Sequence, residues 1–250
     1  MRYRRIADLK ADARVSLLNG LQVTVLCNML YLTVFGFLTR AEQAVIPRQP
    51  GIAFFLLDFA AWLAVVLFMG VLQAGLTSVY LKLIFGERAG ITDLFSCVRH
   101  LADKAVILRL VTYGIPYLCI LPAMLFLFFA AYVDGSEGYL LTGSGAQMLA
   151  GYVLLLLIPV IAAVMVLVNY GIASFVLLDY PDLSAREVLR ASQRMMRGHG
   201  GRYLRLQLSF LPLYLLSALS FGMASFWVMS YHYAANAAFY RDIVTPGKPG

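Results

Sequence analysis

Residues 148–178 have the sequence MLAGYVLLLLIPVIAAVMVLVNYGIASFVLL and contain no charged side chain. A helix needs about 20 apolar residues to cross the hydrocarbon core of a bilayer, and a run of more than about 18 indicates such a crossing. A soluble protein of this size does not contain several runs of that length. The stretch therefore predicts a transmembrane helix, and similar runs before and after it predict a membrane protein.

The composition supports this interpretation. Of 250 residues, 61% are hydrophobic and 13% are charged, whereas roughly 45–50% and 25% are usual in soluble domains. We expect an all-α fold, a polytopic helical membrane bundle that forms one integral-membrane domain over residues 1–250. The predicted spans are about six in number and cover residues 15–38, 52–76, 105–133, 148–178, 204–220 and 223–240. Two amphipathic cytoplasmic surface helices are predicted at residues 93–103 and 185–197.

The last two spans depend on a turn. The tract from Tyr203 to Tyr240 is apolar and is too long for a single crossing. We predict two short spans that turn near Ser220-Phe221-Gly222. The alternative is one long helix, which would need a tilt far beyond the usual value of about 20°.

Prolines are expected to kink two of the predicted spans. Pro116 and Pro122 lie in the third span and Pro159 lies in the fourth. A proline removes a backbone donor from a helix and clashes with the preceding turn, so each of these positions predicts a bend.

The distribution of basic residues predicts the orientation. Under the six-span arrangement, every Lys and Arg except Arg40 and Arg48 falls on one face. Cytoplasmic segments of membrane proteins carry an excess of Lys and Arg. We therefore expect a multi-pass protein of a bacterial cytoplasmic (inner) membrane with both termini in the cytoplasm.

The second surface helix carries the clearest local signals. Ser184 and Glu187 have the spacing of a capping box, which predicts a helix start, and Gly198 is a suitable stop. At 100° per residue the arginines of this helix fall within an arc of about 80°, opposite the apolar side. This arginine face consists of Arg186, Arg190, Arg194 and Arg197. It is interpreted either as a charged flank resting on lipid headgroups or as a docking surface for an anionic lipid or an acidic partner.

Polar residues inside the apolar runs are the other candidates. Asp58 lies about six residues into the second span, where a carboxylate has either a transport role or a hydrated or bonded position near the interface. Asn169 and Asn236 line a polar path or, more commonly, form hydrogen bonds between helices. His232 lies between two tyrosines, and an interfacial position is favoured over a proton relay.

No metal, cofactor or nucleic-acid site is predicted. Cys27, Cys97 and Cys119 are isolated, without a CxxC pair or a histidine cluster at ligand spacing. The net charge of +7 comes from residues that flank apolar runs, and no nucleic-acid fold signature accompanies them. We expect no catalytic residues, no metal ligands, no cofactors and no nucleic-acid partner.

The C-terminal third resembles a known family. The matching residues are Asp179-Tyr180-Pro181, Ser192, Met196-Arg197-Gly198-His199, Tyr203, Leu206-Gln207-Leu208-Ser209-Phe210, Gly222, Trp227, Tyr231 and Ala238-Phe239-Tyr240. Weaker similarity occurs at residues 9–14, 75–81 and 93–95. On these residues the chain is similar to the bacterial membrane-protein family called domain of unknown function 975. Its pattern departs from that family at Leu211-Pro212 and at Ser230. The resemblance implies a multi-span membrane protein and no particular activity.

Three classes of function follow from these patterns. The favoured hypothesis is a non-enzymatic integral membrane protein whose partners are membrane lipids, in particular anionic headgroups, or a membrane-protein partner or a second copy of the chain. The alternative is a transporter or channel for small solutes or lipids that uses the Asp58 region. An intramembrane enzyme ranks last because HExxH, GxSxG and P-loop patterns are absent from the sequence.

Overall fold

The computed structural model describes residues 4–46, 51–95, 101–134 and 143–245, with side chains for all of these except 127–134 and 143–149. These residues form helices and turns and contain no strand, which confirms the all-α prediction. In chain order the helices are α1 (Ile6–Val45), α2 (Ile52–Ile84), α3 (Ala102–Arg109), α4 (Ile115–Asp134), α5 (Gly143–Tyr170), α6 (Ala173–Asp179), α7 (Ala185–Met196), α8 (Gly200–Leu208), α9 (Leu211–Leu219) and α10 (Ser225–Val244).

Four helical segments are long and apolar enough to cross a membrane. They are Ile6–Val45, Ile52–Ile84, Ala102–Phe126 and Ala150–Asp179. Each contains the whole or the larger part of one of the first four predicted spans, as expected of a membrane protein. The 40 residues of α1 extend about 60 Å along the helix, about twice the thickness of the hydrocarbon core. The ends of α1 therefore extend beyond the apolar run at residues 15–38.

The chain divides into two compact units. One comprises Met1–Arg109 with Val168–Gly250, and the other comprises Leu110–Leu167. In the first unit, α1 packs against both α2 and α10, and α2 also packs against α10. This three-helix core positions the polar side chains described below.

Gly20 allows α1 and α2 to approach each other. Its backbone leaves the helical region, with φ −134° and ψ 24°. A Cβ atom at position 20 would lie 2.4 Å from Cδ2 of Leu83. The missing side chain at Gly20 therefore leaves the space that the Leu83 side chain occupies.

A π-helical turn, Leu110–Gly114, separates α3 from α4. It ends two residues before Pro116, whose missing N–H interrupts the regular i→i−4 ladder. In contrast, Pro122 and Pro159 lie inside continuous helices.

Of the surface helix predicted at residues 93–103, residues 93–95 are helical, and residues 96–100 lie outside the described residues. Leu101 lies in a bend, and Ala102 begins α3, so the helix does not continue unbroken to residue 103. Leu94, at the start of this predicted surface helix, is buried. Its backbone packs against Gly75 of α2, so protein and not membrane covers this residue.

The fourth predicted span, residues 148–178, is interrupted near its end. Helix α5 ends at Tyr170, and α6 begins at Ala173 after a turn at Gly171-Ile172. The turn is stabilised from another helix, because the Tyr203 hydroxyl donates a hydrogen bond to the carbonyl of Gly171 at 3.3 Å.

The tract after Tyr203 folds back on itself, which confirms the predicted turn and excludes one long helix. Phe221 and Gly222 have φ values of 51° and 86°, in the left-handed region that favours glycine. The first arm is divided into α8 and α9. Pro212, at the start of α9, has no N–H to donate to the Leu208 carbonyl, so the helical ladder breaks between these residues.

Candidate functional site

Helix α7 begins with the predicted capping box. The Ser184 hydroxyl accepts a hydrogen bond from the Glu187 amide at 3.4 Å, and the Ser184 amide donates to Glu187 Oε2 at 2.8 Å. Hydrogen bonds from the Ser184 hydroxyl and amide hold the pKa of the Glu187 carboxyl below its ordinary value of 4.5, with a smaller contribution from the charge of Arg190. The helix stops before Gly198, which has a φ of +83°.

The two faces of α7 have opposite character. The buried face consists of Ala185, Val188, Ser192 and Met196. It packs on α6, and Ser192 Oγ donates to the backbone carbonyl of Asn169 at 3.1 Å. All four members of the arginine face are exposed. None of them forms a salt bridge with a carboxylate in the part of the chain that the structure describes.

Several other arginines have a structural role. Asp12 forms salt bridges with Arg4 and Arg241, and Asp242 pairs with Arg202 at 2.5 Å. A further contact of this network is from Arg241 Nη1 to the carbonyl of Ile84, at 2.6 Å. The start of α1, the end of α2 and the end of α10 therefore meet in one charged cluster.

The segment before α7 is tied to the start of α3. Lys104 Nζ donates to the carbonyl of Pro181 at 2.6 Å. Helix α3 also packs against α6 and α7. The arginine face thus belongs to a part of the first unit that is held in place by contacts with α3 and α6.

His232 and Asn236 are brought together with Gln207 in a polar cluster. His232 Nε2 lies 2.5 Å from Gln207 Oε1, and Gln207 Nε2 donates to Asn236 Oδ1 at 2.9 Å. His232 Nδ1 lies 2.9 Å from the Tyr214 hydroxyl. A neutral imidazole with its hydrogen on Nε2 satisfies both contacts, because Tyr214 then donates to Nδ1.

This cluster joins α8, α9 and α10 through uncharged groups. Tyr214 was not among the predicted polar candidates, since it lies 18 residues from His232 in the chain. The neutral hydrogen bonds match the prediction that polar residues in these helices bond one helix to another.

A second buried cluster joins α1, α2 and α10. Asn28 Nδ2 donates to the Tyr80 hydroxyl and to Ser230 Oγ, both at 2.6 Å. One turn away, Gln73 Nε2 donates to the Tyr233 hydroxyl at 2.8 Å, and the Tyr80 and Tyr233 rings stack 5.4 Å apart. All these groups are neutral, and their hydrogen bonds and ring stacking join the three helices of the core.

The remaining candidates do not converge on these clusters. Asp58 is exposed on α2 and forms no hydrogen bond or ion pair with any other described residue. Asn169 takes part through its backbone carbonyl, as described above. Within the described ranges, no group of three His, Cys, Asp or Glu side chains could hold a metal ion.

The residues that carry the family resemblance form contacts with one another. Tyr240 donates a hydrogen bond to Asp179, and the Tyr203 ring lies 5.1 Å from that of Phe239. The ring of Phe210 packs edge-on against Tyr231. These pairs join α6, α8 and the segment after α8 to α10, so several matched positions contribute to the packing of the first unit.

Comparison with known families agrees with this pattern. The sequence model of the family described as "Protein of unknown function (DUF975)" matches residues 1–246. No curated protein and no solved structure matches the chain. Because the match extends over nearly the whole chain, the protein belongs to the DUF975 family of proteins of unknown function.

Proposed function

We propose that this chain is a non-enzymatic membrane protein that binds anionic lipid headgroups through the arginine face of α7. The observation that carries the proposal is the exposure of all four arginines on one side of a helix whose other side is buried. An anionic leaflet attracts each nearby arginine by about 1 kcal/mol. Because no described carboxylate neutralises these charges in a salt bridge, their attraction for lipid phosphate is retained.

The proposal includes an orientation. The chain has six membrane helices, lies in a bacterial cytoplasmic membrane and has both termini in the cytoplasm. The charged cluster in which the start of α1 meets the ends of α2 and α10 supports this arrangement. Basic residues concentrate on the cytoplasmic side of membrane proteins. The arginine face then lies beside the inner leaflet, where anionic lipids create a negative surface potential.

The test uses the full-length protein in a mild detergent. Native mass spectrometry measures the retention of phosphatidylglycerol, which is anionic, and of phosphatidylcholine, which is zwitterionic. Wild type retains phosphatidylglycerol preferentially, and the double variant Arg190→Glu/Arg194→Glu retains fewer phosphatidylglycerol molecules than wild type. Arg40→Glu is the control, since Arg40 is an exposed arginine outside the arginine face and its substitution leaves the preference intact. Circular dichroism checks that all variants remain helical.

Two outcomes would contradict the proposal. One is undiminished retention of phosphatidylglycerol in the Arg190→Glu/Arg194→Glu variant. The other is a membrane-protein partner or a second copy of the chain that co-purifies with wild type and is lost in this variant, while lipid retention is unchanged. In that case the arginine face binds protein.

A transporter is the second candidate, and Asp58 is the observation that favours it. A carboxylate that faces lipid from an apolar helix costs about 2.5–3.5 kcal/mol, so such a residue usually lies beside a partner or a water path. Asp58 is exposed and bonds to no described residue. Reconstituted vesicles would show solute or lipid flux that Asp58→Asn reduces. Equal flux with wild type, with Asp58→Asn and with empty vesicles would exclude this function.

A further inference from the structure

Two cations, Lys10 and Arg14, lie side by side on α1. Lys10 and Arg14 are four residues apart, which places them on one face of the helix, where like charges repel. Neither forms a salt bridge with a described carboxylate. Asp12, which lies between them in the sequence, pairs with Arg4 and Arg241. The surface around Lys10 and Arg14 is therefore positively charged and has unused capacity for an anion.

Both cations are held by groups from the C-terminal helices. Lys10 Nζ donates to the Ser209 carbonyl at 3.1 Å and lies 4.4 Å from the centre of the Phe210 ring. Arg14 Nε donates to the Tyr231 hydroxyl at 3.1 Å, with its guanidinium carbon 5.3 Å from the Tyr231 ring. A cation beside an aromatic ring is attracted by the negative face of that ring. The two charges are thereby fixed in position before any ligand arrives.

Most of the hydrogen-bond donors at this place are still unused. A lysine ammonium has three donors and an arginine guanidinium has five, and Lys10 and Arg14 each use one in the contacts above. Tyr231 accepts a hydrogen bond from Arg14 and keeps its own hydroxyl hydrogen to donate. Each of the three side chains therefore keeps a donor for an anion. Lys10 lies beside the other two, because the Phe210 ring that it contacts is 5.0 Å from the Tyr231 ring.

The position along α1 identifies the source of those oxygens. Arg14 is exposed and directly precedes Val15, the first residue of the apolar run that predicts the first span. A residue at the start of an apolar run lies at the depth of the lipid headgroups. A phosphate that belongs to a lipid is present at this depth at high local concentration.

We propose that Lys10, Arg14 and the Tyr231 hydroxyl form a defined binding site for the phosphate of an anionic phospholipid. The site lies on α1 and α10, involves none of the arginines of α7, and goes beyond the function proposed above. The arginine face attracts the leaflet as a whole, whereas this site holds one lipid per chain. Its occupant relieves the repulsion between Lys10 and Arg14.

The experiment distinguishes the exposed arginine face, which attracts many lipids weakly, from the proposed site, which holds one lipid through fixed donors. The full-length protein in detergent is washed with high salt, which screens exposed charges, and native mass spectrometry then counts the phosphatidylglycerol molecules that remain. We expect one retained molecule per chain for wild type. Lys10→Gln/Arg14→Gln loses it, with an affinity decrease of about fivefold for each removed charge. Tyr231→Phe keeps the ring and removes the donor, and it weakens retention in the same direction.

The controls separate this site from the arginine face and from loss of fold. Arg190→Glu/Arg194→Glu keeps the salt-resistant lipid, so either proposal can fail without the other. Thermal unfolding shows whether Lys10→Gln/Arg14→Gln folds. If it does not fold, the conservative variant Tyr231→Phe still tests the site. Inorganic phosphate at millimolar concentration leaves the retained lipid in place, because the acyl chains contribute to binding. Full retention in folded Lys10→Gln/Arg14→Gln, full retention in Tyr231→Phe, or displacement by free phosphate would overturn the site.

Discussion

Gly75 of α2 lies so close to Leu94 that a Cβ atom at position 75 would be 1.8 Å from the Leu94 carbonyl oxygen. The neighbouring hydrogen bonds keep the two segments together. Ser78 Oγ donates to the Asp93 carbonyl at 3.2 Å, and Lys82 Nζ donates to Asp93 Oδ1 at 2.7 Å. The segment after α2 therefore packs directly against α2, with its backbone in contact with Gly75.

Gly75→Ala is expected to destabilise the protein. The new methyl group would meet a backbone carbonyl, which cannot rotate away as a side chain can, and overpacking of this kind typically costs about 1–3 kcal/mol. Thermal unfolding in detergent measures the effect. Gly36→Ala is the matched control, since no atom lies within 4 Å of a Cβ built on Gly36 of α1. Equal unfolding midpoints for Gly75→Ala and wild type would show that the two segments separate easily.

Asp93 is expected to make stability depend on pH. Burial raises the pKa of its carboxyl, but hydrogen bonds from Lys82 and from the Gly90 amide outweigh burial and leave the pKa below its ordinary value of 3.8. A carboxyl whose folded-state pKa is depressed stabilises the fold above its unfolded pKa. That contribution is lost as pH falls through the folded-state pKa.

The test of this prediction compares two substitutions in the same connection. Asp93→Asn lowers the unfolding midpoint at pH 7, and its difference from wild type shrinks on acidification below about pH 4. Glu87→Gln changes an exposed carboxyl six residues away and leaves the midpoint unchanged. A difference between Asp93→Asn and wild type that stays constant from pH 7 to pH 3 would contradict the linkage.

Features that depend on local sequence or on the bilayer were predictable. The first four spans follow from apolar length, because hydrocarbon leaves a helix with no alternative way to satisfy its backbone. The capping box at Ser184 depends on residues three apart, and the turn at Gly222 depends on one residue that tolerates positive φ. None of these requires knowledge of distant contacts.

Features that depend on distant partners were not predictable. At the break between α5 and α6, the Gly171 carbonyl accepts its hydrogen bond from Tyr203. The start of α8 can approach this break because Gly200 leaves room for Val168, whose Cγ1 lies 2.4 Å from a Cβ built at position 200. His232 looked isolated because its partner Gln207 is 25 residues away. The burial of Leu94 was not predictable because the sequence does not reveal that Leu94 packs against Gly75.

The cluster around Asn28 is expected to behave as a coupled unit. The Asn28 side chain is fully buried and donates to Ser230 Oγ, which is 1% exposed. Removing one of the two side chains leaves the other as a buried polar group without its hydrogen-bond partner. Removing both leaves fewer buried polar atoms without a partner. The double variant Asn28→Ala/Ser230→Ala is therefore more stable than the sum of the single variants predicts, by about 0.5–1.5 kcal/mol.

Equilibrium unfolding in mixed detergent measures this cycle. Thr33→Ala is the control partner for Asn28→Ala, because Thr33 is exposed and its hydroxyl bonds within its own helix, to the Met29 carbonyl at 2.8 Å. The Asn28 and Thr33 effects should add. Additive effects in the Asn28 and Ser230 cycle would mean that the hydrogen bond between them contributes nothing to stability.

The hairpin of α8, α9 and α10 is close in length to one crossing in each direction. Helix α10 contains 20 residues, which extend about 30 Å. Its end carries Arg241 and Asp242 of the charged cluster, so the part without Lys, Arg, Asp or Glu, Ser225–Tyr240, extends about 24 Å, somewhat less than the hydrocarbon core of about 30 Å. One end is anchored by the salt bridge between Arg202 and Asp242. The other end carries Phe221, which is 100% exposed, and Met223, which is 73% exposed. If the anchored end lies at the cytoplasmic surface, the proposed six crossings require the turn to reach the opposite surface.

Met223→Cys is therefore expected to react from outside the cell with a membrane-impermeant maleimide, in a background without Cys27, Cys97 and Cys119. The turn is apolar and short, so labelling should be slower than for a soluble loop but should not require lysis. Arg5→Cys, at the start of α1, serves as the opposite control and reacts only after the membrane is opened. Protection of Met223→Cys in intact cells, with normal labelling in detergent, would mean that the hairpin ends inside the bilayer. The proposed orientation of the termini would still hold, because a re-entrant hairpin also returns to the side from which it enters. The number of crossing helices would then be four instead of the proposed six.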